Sequence, residues 1–220
     1  MPDTKKGKKA EPVAGLLLAA GASTRMGTPK QLLPLGDAFL LERVLTQSLH
    51  SNLDLVVLVL GFRAREIREK IRFGVESSRL EIVENRGYKQ GISSSILTGL
   101  SCVESAFDHV MILLGDMPYI TSGIINRLLA GYLASGRPLG ALKVRGKRSH
   151  PVIIGRPFFP ALHRLTGDQG GRTLFSTQPD LVCLVEPGED YEDTDIDTYE
   201  DYLKFKRTLE SQVAKRRNEF

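Results

Sequence analysis

An apolar run near the start of the chain breaks into a turn of small residues, and this segment constrains the fold more than any other. Residues 13–20 read VAGLLLAA and continue into the small residues GAST, with Arg25 and Lys30 just beyond. Small side chains let backbone N–H groups approach a ligand and donate hydrogen bonds to its anionic oxygens. Two cations beside the turn would neutralise further negative charge. The segment therefore predicts a strand that ends in a binding site for nucleotide phosphates.

The two commonest phosphate-binding loops do not fit this turn. A P-loop needs a glycine, four residues and then Gly-Lys-Ser/Thr, whereas here five residues separate Gly21 from Gly27, and Thr28 and Pro29 precede Lys30. A dinucleotide-binding fingerprint needs three glycines at its own spacing, and this turn has two. Pro29 also moves Thr28 away from helical backbone angles. We therefore exclude both motifs.

Apolar runs rich in β-branched residues recur along the chain, and most are continuous, as in strands buried on both faces. Segments of helical periodicity lie between them. This alternation predicts an α/β fold, a single three-layer, doubly wound domain with a mostly parallel sheet, whose ligands lie at the carboxyl ends of the strands. The predicted strands are residues 13–20, 54–60, 80–84, 109–114, 140–144, 151–154 and 181–185, and the predicted helices are residues 39–50, 64–73, 94–105, 121–134 and 197–217.

The net charge of +4 is concentrated at the two ends of the chain. Residues 1–12 contribute +2 and residues 203–220 contribute +4, which leaves −2 for the 190 residues between them. A folded domain with a net negative charge is not expected to bind the negatively charged backbone of a nucleic acid, so no nucleic-acid partner is expected. We expect residues 1–11 to form a disordered basic tail, residues 12–210 the folded domain, and residues 211–220 a basic C-terminal tail.

Cys102 and Cys183 are far apart in sequence and have neither zinc-binding nor redox spacing. We interpret both as small buried hydrophobic residues in a reducing compartment, which predicts a cytoplasmic protein. No apolar run approaches the roughly 20 residues that span a bilayer, so no membrane partner is expected.

Six segments of the chain, in the same order, resemble the molybdenum cofactor cytidylyltransferases and guanylyltransferases. More distantly they resemble the sugar-phosphate and methylerythritol-phosphate members of the same nucleotidyltransferase superfamily, of the MobA and MocA type. The resemblance covers nearly the whole chain and implies a nucleotide-diphospho-sugar transferase-like fold. The segments are LAAGASTRMGTPKQLLP, NRGYKQGISSSILTGL, VMILLGDMP, HPVII, TGDQGGR and DTDIDTYEDY.

The resemblance implies that the nucleotide is bound by two of these segments. The first is the turn, with Arg25 and Lys30 as catalytic cations. The second is the start of a helix, where small hydroxyl residues and backbone N–H groups can bind base or ribose. The implied nucleotide-binding residues are Leu18, Ala19, Ala20, Gly21, Arg25, Lys30, Gly91, Ser93 and Ser94.

Asp116 follows the apolar strand VMILL, so its carboxylate should emerge at the carboxyl edge of the sheet, opposite the turn. Magnesium in such sites takes one or two carboxylates together with substrate phosphates and water. The resemblance implies that Asp116 is catalytic and binds the metal, and that the DTDID segment approaches it. Asp195 and Asp197 are both candidates for a further ligand. We favour Asp195, because Asp197 could instead cap the final helix.

The resemblance also implies an acceptor site formed by His150, Asp168 and Arg172, in which Arg172 could bind a phosphate bidentately. The implied reaction is attack by a phosphate oxygen of the acceptor on the α-phosphorus of a nucleoside triphosphate, with pyrophosphate leaving. A phosphate monoester is mostly dianionic at neutral pH and needs little help from a general base. The expected cofactor is Mg²⁺, with Mn²⁺ as an alternative.

Ala20 favours CTP as the substrate. The stretch Leu18 to Gly21 resembles the cytidylyl and uridylyl members, whereas guanylyl members tend to have Gly where Ala20 stands. We therefore predict a CTP:molybdopterin cytidylyltransferase, with a molybdoenzyme or its chaperone as a further partner. The alternatives are a guanylyltransferase of the same cofactor, a cytidylyltransferase acting on another phosphorylated acceptor such as a sugar or polyol phosphate, and a non-catalytic nucleotide-binding accessory of molybdoenzyme maturation.

Overall fold

The protein was analysed as a computed structural model, which describes residues 11–23, 26–72, 77–188 and 191–218, with side chains as far as Ser211. Strands and helices alternate along most of the chain. The strands are β1 Val13–Ala19, β2 Pro34–Leu35, β3 Ala38–Phe39, β4 Leu55–Leu60, β5 Leu80–Glu84, β6 His109–Leu114, β7 Leu139–Val144, β8 Lys147–Gly155 and β9 Val182–Val185. The helices are α1 Leu40–Leu49, α2 Ala64–Lys70, α3 Ile92–Val103, α4 Ser122–Ser135, α5 Phe159–Leu162, α6 Arg172–Thr177 and α7 Tyr199–Asn218.

Seven of the strands form one sheet in the order β5-β4-β1-β6-β8-β7-β9, and β2 and β3 form a small hairpin beside it. Six strands of the large sheet run in the same direction, and β8 runs antiparallel to both of its neighbours. The predicted α/β fold with a mostly parallel sheet is confirmed.

The antiparallel strand β8 is longer than the sequence predicted. It begins at Lys147 rather than at Pro151, because β7 and β8 are joined by a two-residue turn. Both turn residues have positive φ, 48° at Arg145 and 77° at Gly146, as type I′ hairpin turns require. The hairpin places Arg148 and His150 on the sheet.

Helices cover both faces of the sheet, which explains the continuous apolar runs of its strands. Along β1, Leu17 faces a cluster that contains residues of α1, α2 and α4, whereas Leu16 faces a cluster that contains residues of α3, α5 and α6. Both leucine side chains are completely buried. The sheet and its two helical layers therefore form the rigid base from which the connecting loops project.

Cys102 lies on the solvent-facing side of α3 and is exposed, and Cys183 on β9 is half-buried. The prediction that both are buried was wrong. For Cys102 the cause is the helical phase, since Leu100 and Val103 take the positions of α3 that face the sheet.

The last helix, α7, packs against the segment that contains the β2–β3 hairpin and the start of α1. Its Tyr202 and Phe205 belong to a third apolar cluster together with Leu33 and Leu40. The tail predicted for residues 211–220 is helical as far as Asn218. None of the helices in the described ranges has both the length and the apolar character needed to cross a membrane.

Gly91, which precedes α3, is in close contact with the loop that precedes α6. Its φ is +93°, and a Cβ atom there would lie 2.4 Å from the carbonyl carbon of Gly167. Two hydrogen bonds hold the contact: Ser93 N–H donates to the carbonyl of Gly167 (3.1 Å), and Ile92 N–H donates to the Asp168 carboxylate (3.1 Å). The start of α3 and the loop are therefore fixed relative to each other.

Replacing Gly91 by alanine should cost more free energy of unfolding than the same change at Gly136, a residue of positive φ whose Cβ would meet nothing within 4 Å. We expect Gly136→Ala to cost about 1 kcal/mol, from the left-handed backbone alone. Gly91→Ala should cost about 2–4 kcal/mol, because the loop must also move. Urea unfolding of both variants measures the difference, and equal losses would contradict the contact.

Candidate functional site

The turn after β1 is held in shape by two residues that follow it in the chain. Gln31 is only 3% exposed, and its side-chain amide donates to the carbonyls of Ala19 (2.8 Å) and Gly21 (3.1 Å). The Lys30 N–H donates to Ser23 Oγ (3.0 Å), and Ser23 itself has a φ of +51°. Sequence reasoning missed Gln31, although it stands within the PKQLLP part of the motif.

Two predicted residues of this turn, Thr24 and Arg25, lie outside the described residues, and the catalytic role of Arg25 stays a prediction. A Cβ on Gly21 would meet nothing within 4 Å, so that the backbone of the turn is open on that side. A phosphate could approach it there.

Asp116 follows β6 at the same edge of the sheet as the turn. The backbone of the DTDID segment is attached to it, because Ile196 N–H donates to the Asp116 carbonyl (2.9 Å). The Ile196 side chain is buried in the third apolar cluster. Asp195 and Asp197 flank it in an extended segment and lie beside Asp116: one carboxylate oxygen from each of the three lies within 4.8 Å of the others.

Helix α7 is capped by Thr198 rather than by Asp197. The Thr198 N–H donates to the Asp201 carboxylate (2.8 Å), and the Asp201 N–H donates to Thr198 Oγ1 (3.2 Å), which is the pattern of a capping box. The structure thus brings Asp197 as well as Asp195 to Asp116, and the reason for favouring Asp195 over Asp197 does not hold.

Lys30 joins the turn to this acidic edge. Its ammonium nitrogen lies 2.5 Å from Asp116 Oδ2 and 3.2 Å from Asp197 Oδ1, and its side chain is 16% exposed. Burial by itself lowers the pKa of Lys30, but the attraction and hydrogen bonds of Asp116 and Asp197 outweigh it, so that the pKa is raised. Lys30 is therefore fully charged at neutral pH.

The three carboxylates repel one another despite Lys30. Burial and the neighbouring Asp197 and Asp116 raise the pKa of Asp195, and Lys30 opposes this shift. Carboxylate oxygens in such a cluster are the hard ligands that Mg²⁺ and Mn²⁺ prefer. The residues present therefore fit a divalent cation, which would relieve the repulsion that Lys30 leaves.

A cavity of about 500 Å³, here called the turn cavity, lies between the turn, Lys30 and Asp116. Lys30 and Asp116 share it, as a site for one triphosphate requires. Of the predicted nucleotide-binding residues, Leu18, Ala19, Ala20, Gly21, Lys30 and Gly91 line it.

Ser93 and Ser94 do not line the turn cavity, whereas Ser95 does. Ser93 is buried. The Ser94 hydroxyl donates to the Gly91 carbonyl (2.8 Å), lies 3.1 Å from the Gly87 carbonyl, and accepts from the Asn85 side-chain amide (2.8 Å). The helical phase at the start of α3 turns these two side chains away from the turn cavity, toward another cavity of about 390 Å³ whose walls include both. The sequence alone did not show which serine of the SSS run faces the cavity.

A second cavity, of about 660 Å³, adjoins the first and is here called the arginine cavity. Its polar walls include the predicted acceptor residues His150, Asp168 and Arg172, and also Arg148, which the sequence did not single out. The two cavities share Ile92, Leu114 and Asp168 as walls. The structure therefore places the two predicted subsites side by side.

His150 is uncharged at neutral pH. Burial and the nearby Arg148 lower its pKa to about 4. Its Nδ1 is buried and makes no hydrogen bond with any residue that the structure describes. The arginine cavity thus has two guanidinium groups and a neutral imidazole among its polar walls.

Comparison with known proteins finds relatives that match long stretches of this chain. A protein of Paenarthrobacter nicotinovorans named nicotine blue oxidoreductase is 32% identical over 196 residues, which cover 86% of this chain and 93% of that protein. The molybdenum cofactor cytidylyltransferase of Escherichia coli is 28% identical over 144 residues, which cover 64% of this chain and 69% of the enzyme.

Solved structures share the fold over almost their full length. A structure from Mycobacterium sp. strain JC1, described as a homologue of Mycobacterium tuberculosis Rv0371c, superposes with a TM-score of 0.78 at 30% identity, covering 91% of this chain and 98% of that one. Rv0371c itself, in a complex with manganese, gives 0.73 at 26% identity, covering 88% and 97%.

The family model of the MobA-like NTP transferase domain matches residues 15–182, which include the turn, Lys30, Asp116 and the walls of both cavities except Asp193 and Asp195. The chain belongs to this nucleotidyltransferase family.

Proposed function

We propose that the protein transfers CMP from CTP to the phosphate group of a molybdopterin-type cofactor and releases pyrophosphate. The observation that carries the proposal is the Lys30–Asp116 ion pair at the edge of the turn cavity, next to a second cavity with two arginines. Support for the acceptor comes from the similarity to the Escherichia coli cytidylyltransferase.

In this reaction the turn cavity binds the triphosphate and the arginine cavity binds the acceptor. A terminal oxygen of the acceptor phosphate forms a bond to the α-phosphorus of CTP, and the bond from that phosphorus to the bridging α–β oxygen breaks. The electron pair leaves with pyrophosphate. Because the acceptor phosphate is already mostly dianionic at neutral pH, no side chain has to remove a proton.

The chain contributes position and charge rather than a nucleophile. Lys30 would neutralise charge that develops on the phosphates, and the backbone of Gly21 would donate hydrogen bonds. A divalent metal, Mg²⁺ or Mn²⁺, would be held by Asp116, Asp195 and Asp197 and would supply further charge neutralisation at the triphosphate. The manganese in the related mycobacterial structure supports a divalent metal here.

The name of the Paenarthrobacter relative favours a second candidate, an oxidoreductase. The two activities differ in what happens to the nucleotide. A transferase releases one pyrophosphate for each CMP transferred, whereas a redox reaction leaves nucleoside triphosphates intact. Phosphorus NMR of CTP incubated with the protein, Mg²⁺ and molybdopterin distinguishes them.

Asp116→Asn should lower the rate of pyrophosphate release from CTP, with molybdopterin as acceptor, by at least about a hundredfold, the scale of a lost electrostatic group at a reacting phosphate. Calorimetry should show that metal-free CTP still binds, because the turn and Lys30 remain. The control is Asp180→Asn, an exposed carboxylate that lines neither cavity, which should leave the rate unchanged.

Full activity of Asp116→Asn would contradict the role of this carboxylate. If the wild-type protein binds CTP but releases no pyrophosphate with any acceptor tested, the non-catalytic accessory role replaces the transferase.

The wild-type protein should bind CTP more tightly than GTP, because the Ala20 methyl group occupies space beside the turn cavity. Ala20 is 5% exposed and packs against Gly61. Ala20→Gly should reduce the CTP-to-GTP ratio of kcat/KM by about tenfold, the usual effect of one methyl group in a pocket.

The control is Ala22→Gly, which changes another small residue that lines the same cavity. It should leave the ratio unchanged. Equal binding of CTP and GTP by the wild-type protein would contradict the argument from Ala20.

A further inference from the structure

Arg148, which the sequence did not single out, has an unusual environment at the wall of the arginine cavity. It lies on β8 and is half-buried, and its guanidinium carbon is 4.7 Å from the centre of the Phe175 ring on α6. Phe175 is 3% exposed and belongs to the apolar cluster between the sheet and α3. A guanidinium stacked on a fixed aromatic ring keeps its position while its N–H groups point along the ring plane.

Two other arginines stack on phenylalanines in the described part of the chain, and both use their N–H groups within the protein. Arg43, over Phe205, donates to the Pro118 carbonyl (2.7 Å). Arg156, over Phe159, donates to the carbonyls of Glu104 and Phe107 and to Asp108.

Arg148 differs, because its guanidinium forms no hydrogen bond or salt bridge with any described residue, and the same is true of the guanidinium of Arg172, which is exposed. Buried polar groups are normally paired, and this half-buried guanidinium at the cavity wall therefore has N–H groups available for a ligand. Burial lowers the pKa of Arg148, and the positive charge of Arg172, which is close enough to repel it, lowers this pKa further. A shared anion would remove this repulsion.

The acidic walls of the arginine cavity are engaged elsewhere. Asp168 accepts the hydrogen bond from Ile92, Asp193 lies 3.6 Å from the Arg145 guanidinium, and Asp195 belongs to the carboxylate cluster at Asp116. None of the three forms a salt bridge with Arg148 or Arg172 among the described residues. The arginine pair therefore forms the cationic end of the cavity.

We propose that Arg148 and Arg172 together bind the phosphate group of the acceptor, and that Phe175 holds the Arg148 guanidinium in place for it. This inference rests on the proposed transferase function. A dianionic phosphate matches two guanidinium charges, and each planar fork can engage its oxygens bidentately. One terminal oxygen stays available to attack the α-phosphorus. Arg148 and Arg172 are then acceptor-binding residues, and Phe175 is a positioning residue.

The first test uses phenyl phosphate as a probe, in the absence of nucleotide and metal. Calorimetry should show that Arg148→Ala weakens its binding by at least about tenfold, the scale of a lost charge-assisted pair. Arg148→Lys should bind the probe more tightly than Arg148→Ala but less tightly than the wild-type protein, since an ammonium group cannot form the paired hydrogen bonds of a planar guanidinium. Phe175→Leu should weaken it by a few fold. Arg164→Ala, which removes an exposed arginine outside both cavities, is the control and should have no effect.

Crystals soaked in 4-bromophenyl phosphate locate the probe, because bromine scatters anomalously. The proposal expects the phosphate between Arg148 and Arg172. A probe found only at Lys30, no binding to the wild-type protein, or equal affinities of the wild-type protein and Arg148→Ala would each overturn it.

Steady-state kinetics separate this proposal from the transferase function itself. Arg148→Ala should raise the KM for molybdopterin at least about tenfold while the KM for CTP stays the same. An active wild-type enzyme whose acceptor KM does not change in Arg148→Ala would overturn the role of Arg148 and leave the transferase function standing. A protein without transferase activity that still loses phenyl phosphate binding in Arg148→Ala would overturn the function and leave the anion site standing.

Discussion

The register between β1 and β6 determines where the site forms. Leu18 pairs with Leu114, and the Gly115 N–H donates to the Leu18 carbonyl (2.9 Å), so that both strands end at the same level of the sheet. A Cβ on Gly115 would lie 3.1 Å from that of Ala19, which leaves little room for a larger residue. Because the two strands are parallel, the turn and Asp116 emerge beside each other. The remaining groups of the site assemble around this pair.

Charge accounts for much of the arrangement around that edge. Lys30 comes from the segment that follows the turn, and Asp197 comes from the segment before the last helix, 167 residues later in the chain. Their ion pair, together with the backbone bond from Ile196 to Asp116, ties three distant segments to one point. Three carboxylates this close together repel one another, which would cost free energy without a cation nearby. Lys30 reduces this free-energy cost without any bound metal.

The sequence was most informative where the backbone itself determines the site. The continuous apolar strands, the turn, Lys30 and Asp116 could be predicted, because strand ends in a parallel sheet meet at one edge. The orientations of individual side chains were harder to predict from sequence. Whether Ser93, Ser94 or Ser95 faces the turn cavity depends on the exact residue at which α3 starts. Whether Asp197 or Thr198 caps α7 depends likewise on a shift of one residue in the start of that helix.

Arg148 was missed for a related reason. It lies in the first part of β8, which joins the sheet only because Arg145 and Gly146 form a tight turn. A positive φ at an arginine has no clear signature in sequence. Its stacking partner Phe175 lies in another element altogether. Contacts between segments that are distant in sequence decide such roles, and a single sequence does not contain them.

The narrow overlap between the two cavities has a consequence for how proteins of this kind diverge. Among the described residues, Ile92, Leu114 and Asp168 line both cavities, whereas the lining residues of β8 and α6 belong to the arginine cavity alone. Substitutions along β8 and α6 can therefore reshape one pocket while the chemistry at the neighbouring one is preserved. Relatives with one ancestral scaffold can in this way acquire unlike second substrates by small, local steps.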